Sequence, residues 1–473
     1  MSPHDEQSDR RVLGRLGPLQ YLTIAVGCMI GIGWVTVLGN WLQSAGPLGA
    51  VLGFLVGGVV MVGVAACYAE LTSVMPGAGG DVVFAFRVFG PGTAYLVGWF
   101  LILIAVSVVS FEALSFVWVT ETLVPVFGSA PLYMFLGTTV TLPQVLIGLA
   151  IIGILYGLNR IGMGASSRVQ DVLTTLKIAI MCVFVCTAVI LGHPERILRA
   201  AAPGYDTGVR ASGVLWLLAT CAFWLGGFQV ISQASGERRS TTSLRTIGWI
   251  TTGSVLIGVL FYCGVVIAAT SAASIPSIVG AKLPAAFAAK AVFRSQWGVI
   301  AVLGAGLFGI LATLNAMMIS GSRIAVGMGN LGLLPRQFSL LDGRAVPVRP
   351  LSLVALLAAA GVVAGRGLLI PVVNMASMSL ILSYVLVCAA VIRLRRIRPD
   401  ARRPFRVPGG MPVLMTLAMT IGAMAVFIVL QPAFEQRRLP IEWVLFGAWA
   451  VVGFGIWLVR RKVICTITSS ELP

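Results

Sequence analysis

Two charged side chains lie inside long apolar stretches of this sequence. Lys177 stands a few residues into the apolar run that begins at Val169, and Glu112 stands about two thirds of the way along another run. An ionisable group placed in hydrocarbon is costly, so each is a candidate functional residue by default. For Lys177 the alternative is an ammonium that extends to the nearby membrane interface. For Glu112 the alternative is a protonated carboxyl bonded to a neighbouring helix.

Glu112 would have two possible roles if it faced an internal cavity. Its carboxylate could attract the distal cation of a basic or diamine substrate, or it could bind a coupling proton. The apolar residues Met29, Ile30 and Ile32 indicate a neutral substrate instead. These residues therefore leave the charge of a possible ligand open.

Glycines interrupt two apolar stretches that stand at corresponding places in the chain. The first stretch contains Gly27, Gly31 and Gly33, and the sixth contains the pair Gly226 and Gly227. Such paired interruptions are typical of transporters with inverted repeats, because non-helical backbone survives at membrane depth only where it lines a cavity. The alternative is that the glycines only let helices pack closely.

Composition places these residues in a membrane. Of 473 residues, 58% are hydrophobic and 10% are charged, a balance that a soluble domain of this size could not cover with polar surface. A membrane helix needs about 20 apolar residues, and twelve such stretches are predicted, the ninth being short. They run over Leu19–Gln43, Pro47–Val74, Pro91–Thr122, Leu142–Gly157, Val169–Leu191, Gly208–Gln233, Arg245–Thr270, Trp297–Ser320, Pro350–Ala364, Leu368–Val391, Met411–Leu430 and Pro440–Trp457.

The basic residues indicate the orientation. If the N-terminus is cytoplasmic, most of the 33 Lys and Arg residues fall in inner segments, which predicts both termini in the cytoplasm of a multi-pass protein of the cell membrane. The run Arg393 to Arg406 is typical of anchoring to anionic lipid headgroups and not of a nucleic-acid site. Glu70, Asp81 and Glu237 are either inner-gate ion pairs or plain interface charges.

The sequence disfavours several other classes of protein. Seven of the eight cysteines lie in apolar runs without a CxxC pair, so neither a disulfide framework nor a metal site is expected. His4 and His193 are the only histidines, and both lie outside the spans, so we expect neither an enzyme active site nor a cofactor. A channel would be expected to show a repeated filter or charged ring.

Six motifs resemble the amino acid, polyamine and organocation permeases over nearly the whole chain. Two departures stand out: Ile32 replaces a common serine, and Gly236 replaces the first of two acidic residues. The motifs are VGCMIGIGWV (Val26–Val35), Tyr68–Pro91, VQDVLTTLK (Val169–Lys177), AFWLGGFQVISQASGE (Ala222–Glu237), Asn315–Pro335 and RRPFRVPGG (Arg402–Gly410).

The resemblance implies an all-α integral membrane fold with two inverted repeats of five helices and two further helices. Helices 1 and 6 would be discontinuous, and the chain would divide into residues 1–18, 19–192, 208–392, 411–462 and a tail, 463–473. Each break leaves unpaired N–H and C=O groups, which can hold the two ends of a zwitterion.

The resemblance also implies roles for individual residues. Backbone N–H groups of Ile30, Gly31, Ile32 and Gly33, beside Met29, would bind the substrate carboxylate. Carbonyls around Ala222, Phe223 and Leu225 would bind its ammonium. Gly226 and Gly227 would leave room for the side chain or permit the unwinding, and Phe223 would act as a gate. Trp224 and Phe228 could line the same cavity, but aromatic residues in membrane helices usually only pack, and packing is the expectation for both.

Lys177 matches a lysine that replaces a sodium ion in proton-coupled relatives. Its ammonium would contact carbonyls near Ala25 and Val26 and the hydroxyl of Thr313. The resemblance therefore implies a secondary active transporter of amino acids or related amines that works by alternating access, without sodium and with protons as coupling ions. An exchanger and a transport-like sensor remain alternatives, and no partner protein is identified.

Overall fold

The fold was analysed in a computed structural model that describes residues 16–123, 130–199, 209–435 and 440–471. The first part of the predicted N-terminal segment, residues 1–15, and the predicted start of the sixth span at Gly208 lie outside these ranges. The first half of the described chain contains α1 (Pro18–Met29), α2 (Gly33–Thr36), α3 (Leu38–Ala45), α4 (Pro47–Val74), α5 (Asp81–Phe89), α6 (Pro91–Leu123), β1 (Pro131–Phe135), β2 (Thr138–Thr141), α7 (Leu142–Ile161), α8 (Met163–Leu191) and α9 (Arg196–Arg199).

The second half begins with another interrupted pair of helices. It contains α10 (Ala211–Trp224), α11 (Gln229–Gln233), α12 (Leu244–Ala272), α13 (Ile275–Val279), α14 (Pro284–Phe293), α15 (Gln296–Asn330), α16 (Val348–Ala364), α17 (Leu369–Ile397), α18 (Gly410–Glu435) and α19 (Ile441–Glu471), with short 3₁₀ turns at Ser235–Glu237, Arg336–Phe338 and Arg366–Leu368. β1 and β2 pair as an antiparallel hairpin.

Eleven helical segments of the described residues are long and apolar enough to cross a membrane. The expectation of a helical, multi-pass membrane protein is therefore confirmed. The predicted ninth span corresponds to α16, which has only 17 residues and falls among the shorter apolar helices. The count of twelve spans remains a prediction.

The interrupted α1 lies at the centre of the molecule. It packs against α8, α12 and α15, while α4 packs along α10 and α12, and α6 packs along α15 and α17. Small residues permit the closest of these approaches. A Cβ on Gly58 would meet Val259 of α12, and a Cβ on Gly57 would lie 2.8 Å from Cβ of Cys221 of α10.

Buried polar groups join the elements at one end of the bundle, the end predicted to be cytoplasmic. Glu70 is fully buried and accepts hydrogen bonds from Arg395 at 2.5 and 2.9 Å and from the backbone N–H of Val407 at 2.8 Å. Glu237 pairs with Arg323 of α15 and not with the arginines that follow it in the chain. These two acids are therefore ion-pair partners and not isolated interface charges.

Asp81 collects hydrogen bonds at the same end. Its carboxylate accepts from the phenol of Tyr68, from Oγ of Ser383 at 3.0 Å and from Nε2 of Gln233 at 3.0 Å. These donors belong to α4, α17 and α11, so one carboxylate connects three helices to α5. Burial raises the pKa of Asp81, and the three hydrogen bonds oppose that rise.

Candidate functional site

The first helix is interrupted where the glycine motif stands. α1 ends at Met29 and α2 begins at Gly33, and Ile30 between them has φ −103° and ψ 81°, outside the helical region. The carbonyls of this segment turn toward α15. A Cβ on Gly309 would lie 2.9 Å from the Gly31 carbonyl oxygen and 3.1 Å from that of Ile30. Glycine at 309 therefore lets the non-helical segment approach the backbone of α15.

Lys177 binds this interruption directly. Its Nζ donates to the Ile30 carbonyl at 2.6 Å and to the Gly27 carbonyl at 3.5 Å. The side chain is fully buried, so it does not extend to the interface. The contacts were expected near Ala25 and Val26. The Gly27 carbonyl directly follows Val26, whereas the shorter contact lies about one turn further on, at Ile30, because the Val26 carbonyl accepts from the Ile30 N–H at 3.1 Å.

Thr313 of α15 lies beside the same carbonyls, as expected. Its hydroxyl donates to the Gly27 carbonyl at 3.0 Å and to the Cys28 carbonyl at 3.3 Å. Carbonyls that an intact helix would have used internally are thus bound by an ammonium and a hydroxyl. This arrangement can hold one positive charge at the end of α1.

The second interruption lies directly against the first. α10 ends at Trp224 and α11 begins at Gln229, and between them Gly227 has φ +130°, a conformation that favours glycine. A Cβ on Gly227 would lie 2.7 Å from the Met29 backbone nitrogen. The Gly227 N–H donates to Oε1 of Gln229 at 2.7 Å. The two breaks are therefore in van der Waals contact.

A cavity of about 50 Å³ lies between the two interruptions. It has room for about four water molecules. Seven of the predicted site residues line it: Met29, Gly31, Gly33, Glu112, Phe223, Gly226 and Thr313. The other lining residues are Cys28, Ile104, Val108, Phe111, Trp224, Gln229, Tyr262, Met317, Ala376 and Leu380.

Eight predicted site residues do not line this cavity. They are Ala25, Val26, Ile30, Ile32, Lys177, Ala222, Leu225 and Gly227. Their side chains are buried in the helix contacts, apart from glycine, which has none. Apart from Lys177, whose ammonium binds the Ile30 carbonyl, any role for these residues in binding must therefore come from their backbone groups.

Glu112 is the charged group that faces the cavity. It is only 4% exposed, and its Oε1 lies so close to Gly31 that a Cβ there would collide with it. Its Oε2 has no hydrogen-bond partner in the described part of the chain. The carboxyl also interacts with the backbone N–H of Ile32 in the interruption of the first helix, so its role beyond this contact stays a prediction.

Two aromatic residues form the wall of the cavity at the end of α10. Phe223 and Trp224 are both partly exposed, and their rings pack edge to face with centroids 5.1 Å apart. Trp224 packs against Gly33 and Trp41, as expected, and it also lines the cavity. Phe228 is buried against Tyr68 and Tyr384, which is the packing role expected for it.

Sequence reasoning missed Tyr262 and Gln229. Tyr262 of α12 lines the cavity, and its phenol donates to the Met29 carbonyl at 3.0 Å. A tyrosine inside an apolar span needs a hydrogen-bond partner, which is the one signal that could have identified it. Gln229 immediately follows the second glycine interruption, so its place in the motif was a signal of the same kind.

A described chain with eleven membrane-length helical segments around a small internal cavity defines a multi-pass membrane protein. The model of the amino acid permease family matches residues 16–457, and the chain belongs to that family. The family resemblance predicted from the motifs is therefore confirmed.

The chain is similar to several characterised relatives. It is 27% identical to the methylthioribose transporter of Bacillus subtilis (strain 168), over 96% of this chain and 95% of the relative. It is 26% identical to the branched-chain amino acid permease BcaP of the same organism, over 94% of this chain and 93% of the relative. It is 30% identical to the chloroplastic cationic amino acid transporter 9 of Arabidopsis thaliana, over 69% of this chain and 57% of the relative. These relatives indicate a transporter and not an enzyme, and they support amino acid transport.

Proposed function

We propose that this protein is a secondary active transporter of amino acids that works by alternating access, without sodium and with a proton as the coupling ion. The observation that carries the proposal is the 2.6 Å hydrogen bond from Lys177 Nζ to the Ile30 carbonyl, at the end of the interrupted α1. A positive charge held at that end needs no metal ion. An amine that is fully buried can also exchange its proton when the protein changes conformation.

The substrate is proposed to lie in the cavity between the two interruptions. Gly31 and Gly33 border it and offer backbone N–H groups to a carboxylate, while Gly226 borders it at the end of α10, where carbonyls can accept from an ammonium. Most of the remaining wall is apolar, formed by residues such as Ile104, Val108 and Met317. Together with the small volume, this favours an amino acid with a small, uncharged side chain.

Glu112 is proposed to take part in coupling. An ionised carboxylate beside Gly31 would repel a substrate carboxylate bound to the same break, because two such charges in contact cannot both remain ionised. A proton on Glu112 removes this repulsion. Binding of the substrate carboxylate and binding of one proton would then favour each other.

The proposal is tested by uptake into proteoliposomes of a radiolabelled amino acid and amine panel, with and without an inward proton gradient and with sodium replaced by choline. Wild type, Lys177→Ala and Lys290→Ala are compared, because Lys290 is exposed and serves as the matched control. We expect gradient-driven uptake in wild type and Lys290→Ala, and none in Lys177→Ala. A requirement for sodium would refute the role of Lys177, and a requirement for trapped internal substrate would show an exchanger.

A further inference from the structure

One face of α8 carries a line of buried polar groups that continues from Lys177. Ser166, Gln170 and Thr174 precede the lysine at intervals of three or four residues, which places them on one side of the helix. All are less than 5% exposed. Val172 and Val183, on the outer surface of the same helix, are more than half exposed, as expected for a face toward lipid. The polar line therefore points into the protein and runs toward the end predicted to be cytoplasmic.

The polar line is hydrogen-bonded to α1 and α15. The Thr174 hydroxyl donates to the Thr23 carbonyl at 3.1 Å, and Nε2 of Gln170 donates to the same oxygen at 3.5 Å. Nδ2 of Asn315 donates to Oε1 of Gln170 at 2.9 Å. The amide groups of Gln170 and Asn315 do not exchange protons readily, so this branch orients neighbours and holds α8 to α15.

The hydrogen bonds that lead from Thr174 through Thr23 end at the carboxylate of Asp171, a group that can hold a proton. The Thr23 hydroxyl donates to one carboxylate oxygen of Asp171, and Nε2 of Gln20 donates to the other at 3.0 Å. Asp171 and Gln20 are only partly buried, and both lie toward the end predicted to be cytoplasmic. The neighbouring Arg168 donates from Nε to the Gly164 carbonyl instead of pairing with Asp171. Asp171 is thus the first carboxylate met on the way from Lys177 to the protein surface along α8.

We propose that Asp171 is the inner proton-exchange group of the Lys177 site. This inference rests on the proposed function, because it requires that Lys177 release a proton in the transport cycle. Lys177 lies six residues after Asp171, which corresponds to about 9 Å along the helix axis. The hydroxyls of Thr174 and Thr23 lie between the two groups and can hold water there once α1 moves away from α8.

The proposed step conserves charge and protons. The Lys177 ammonium gives a proton through intervening water to the Asp171 carboxylate, leaving a neutral amine and a neutral carboxylic acid. Asp171 then releases the proton to water at the inner face and becomes a carboxylate again. Closing of α1 onto α8 would restore the hydrogen bonds of Thr23 and Gln20 with Asp171.

The test compares Asp171→Asn with Asp171→Glu. Asparagine keeps the size of the side chain and an oxygen that can accept from Thr23, but it cannot carry the proton. Glutamate keeps the carboxylate. Asp400→Asn, at an exposed position, is the matched control. Two rates are measured in proteoliposomes: gradient-driven net uptake with its proton flux, and exchange of internal for external substrate, which needs no release of the proton.

We expect Asp171→Asn to lower net uptake and proton flux by about tenfold or more, while exchange stays within about twofold of wild type. Asp171→Glu should recover much of the net rate, and Thr174→Val should slow net uptake in the same selective way. Equal loss of exchange and net uptake in Asp171→Asn would show a structural role and overturn the inference. Unchanged net uptake would also overturn it. Absence of proton-driven uptake in wild type would instead refute the proposed function itself.

Discussion

Lys177 and Glu112 contact adjacent residues of the same interrupted helix. The lysine ammonium binds the Ile30 carbonyl, and the Glu112 carboxylate lies against the α-carbon of Gly31. The lysine holds the end of α1, whereas the glutamate faces the cavity with one oxygen unpartnered in the described part of the chain. The two side chains therefore contact neighbouring residues of one backbone segment, and of the two only Glu112 also lines the cavity.

Gly31→Ala should abolish transport. A methyl group there would collide with Oε1 of Glu112 and would lie 3.2 Å from the Thr313 hydroxyl. Because Glu112 and Thr313 hold the segment in place, the methyl group would displace it. We therefore expect uptake to fall by at least about tenfold, as for a displaced binding group. Gly153→Ala in α7 is the control, since nothing lies within 4 Å of the added methyl group. Normal uptake by Gly31→Ala would contradict the placement of Glu112.

Glu112→Gln should separate substrate binding from proton binding. Glutamine keeps the shape of the side chain and removes its ability to ionise, so affinity for a neutral amino acid should lose its dependence on pH. The measurement is ligand binding to purified protein between pH 5 and 8, in this variant and in wild type. An unaltered pH dependence in Glu112→Gln would mean that the proton binds elsewhere.

Met317→Ala and Leu380→Ala should change which substrates are accepted. Both side chains line the cavity of about 50 Å³, so shortening either one enlarges it. Each methylene in an apolar pocket is worth about 1–3 kcal/mol of discrimination, so leucine uptake should rise relative to alanine by about tenfold. Leu256→Ala, at a position that is 53% exposed, controls for general effects on helix packing. If the ratio of leucine to alanine uptake were unchanged in both Met317→Ala and Leu380→Ala, the pocket for the substrate side chain would lie elsewhere.

Asp81→Asn should alter stability and its dependence on pH. The asparagine amide would direct a donor toward groups that already donate to position 81, and this mismatch should lower the free energy of unfolding by about 1–3 kcal/mol. Burial raises the pKa of Asp81 above 3.8. The stability that comes from proton binding at Asp81 is therefore fully present below that pH and is lost as the pH rises through the folded-state pKa.

The measurement for Asp81→Asn is thermal unfolding in detergent at several pH values. The wild-type transition temperature should fall with rising pH more steeply than that of the variant, since the variant lacks the titrating group. Asp400→Asn, which is exposed, should follow wild type. Parallel pH profiles of the transition temperature for wild type and Asp81→Asn would show that the pKa of Asp81 is the same in the folded and unfolded states.

The eleven membrane-length helices of the described residues and the places of the two glycine motifs could be predicted from the sequence, because both depend on local composition. The sequence misplaced the shorter contact of Lys177, because the residue at which a helix unwinds is set by contacts with other helices, here Thr313 and Gly309 of α15. Tyr262 and the pairing of Glu237 with Arg323 depend on residues far apart in the chain. α16 shows the limit of helix length as a criterion for a membrane span. With 17 residues it is shorter than a typical span and longer than a typical connection.

The contact between Gly227 and Met29 has a consequence for stoichiometry. With 2.7 Å between a would-be Cβ and the Met29 nitrogen, no residue larger than glycine fits between the two breaks. One break therefore cannot move further toward the other, and residues of both breaks line the same cavity. The two interruptions then form one binding compartment, so each turnover should carry a single substrate molecule and a second molecule should have to wait for the next cycle.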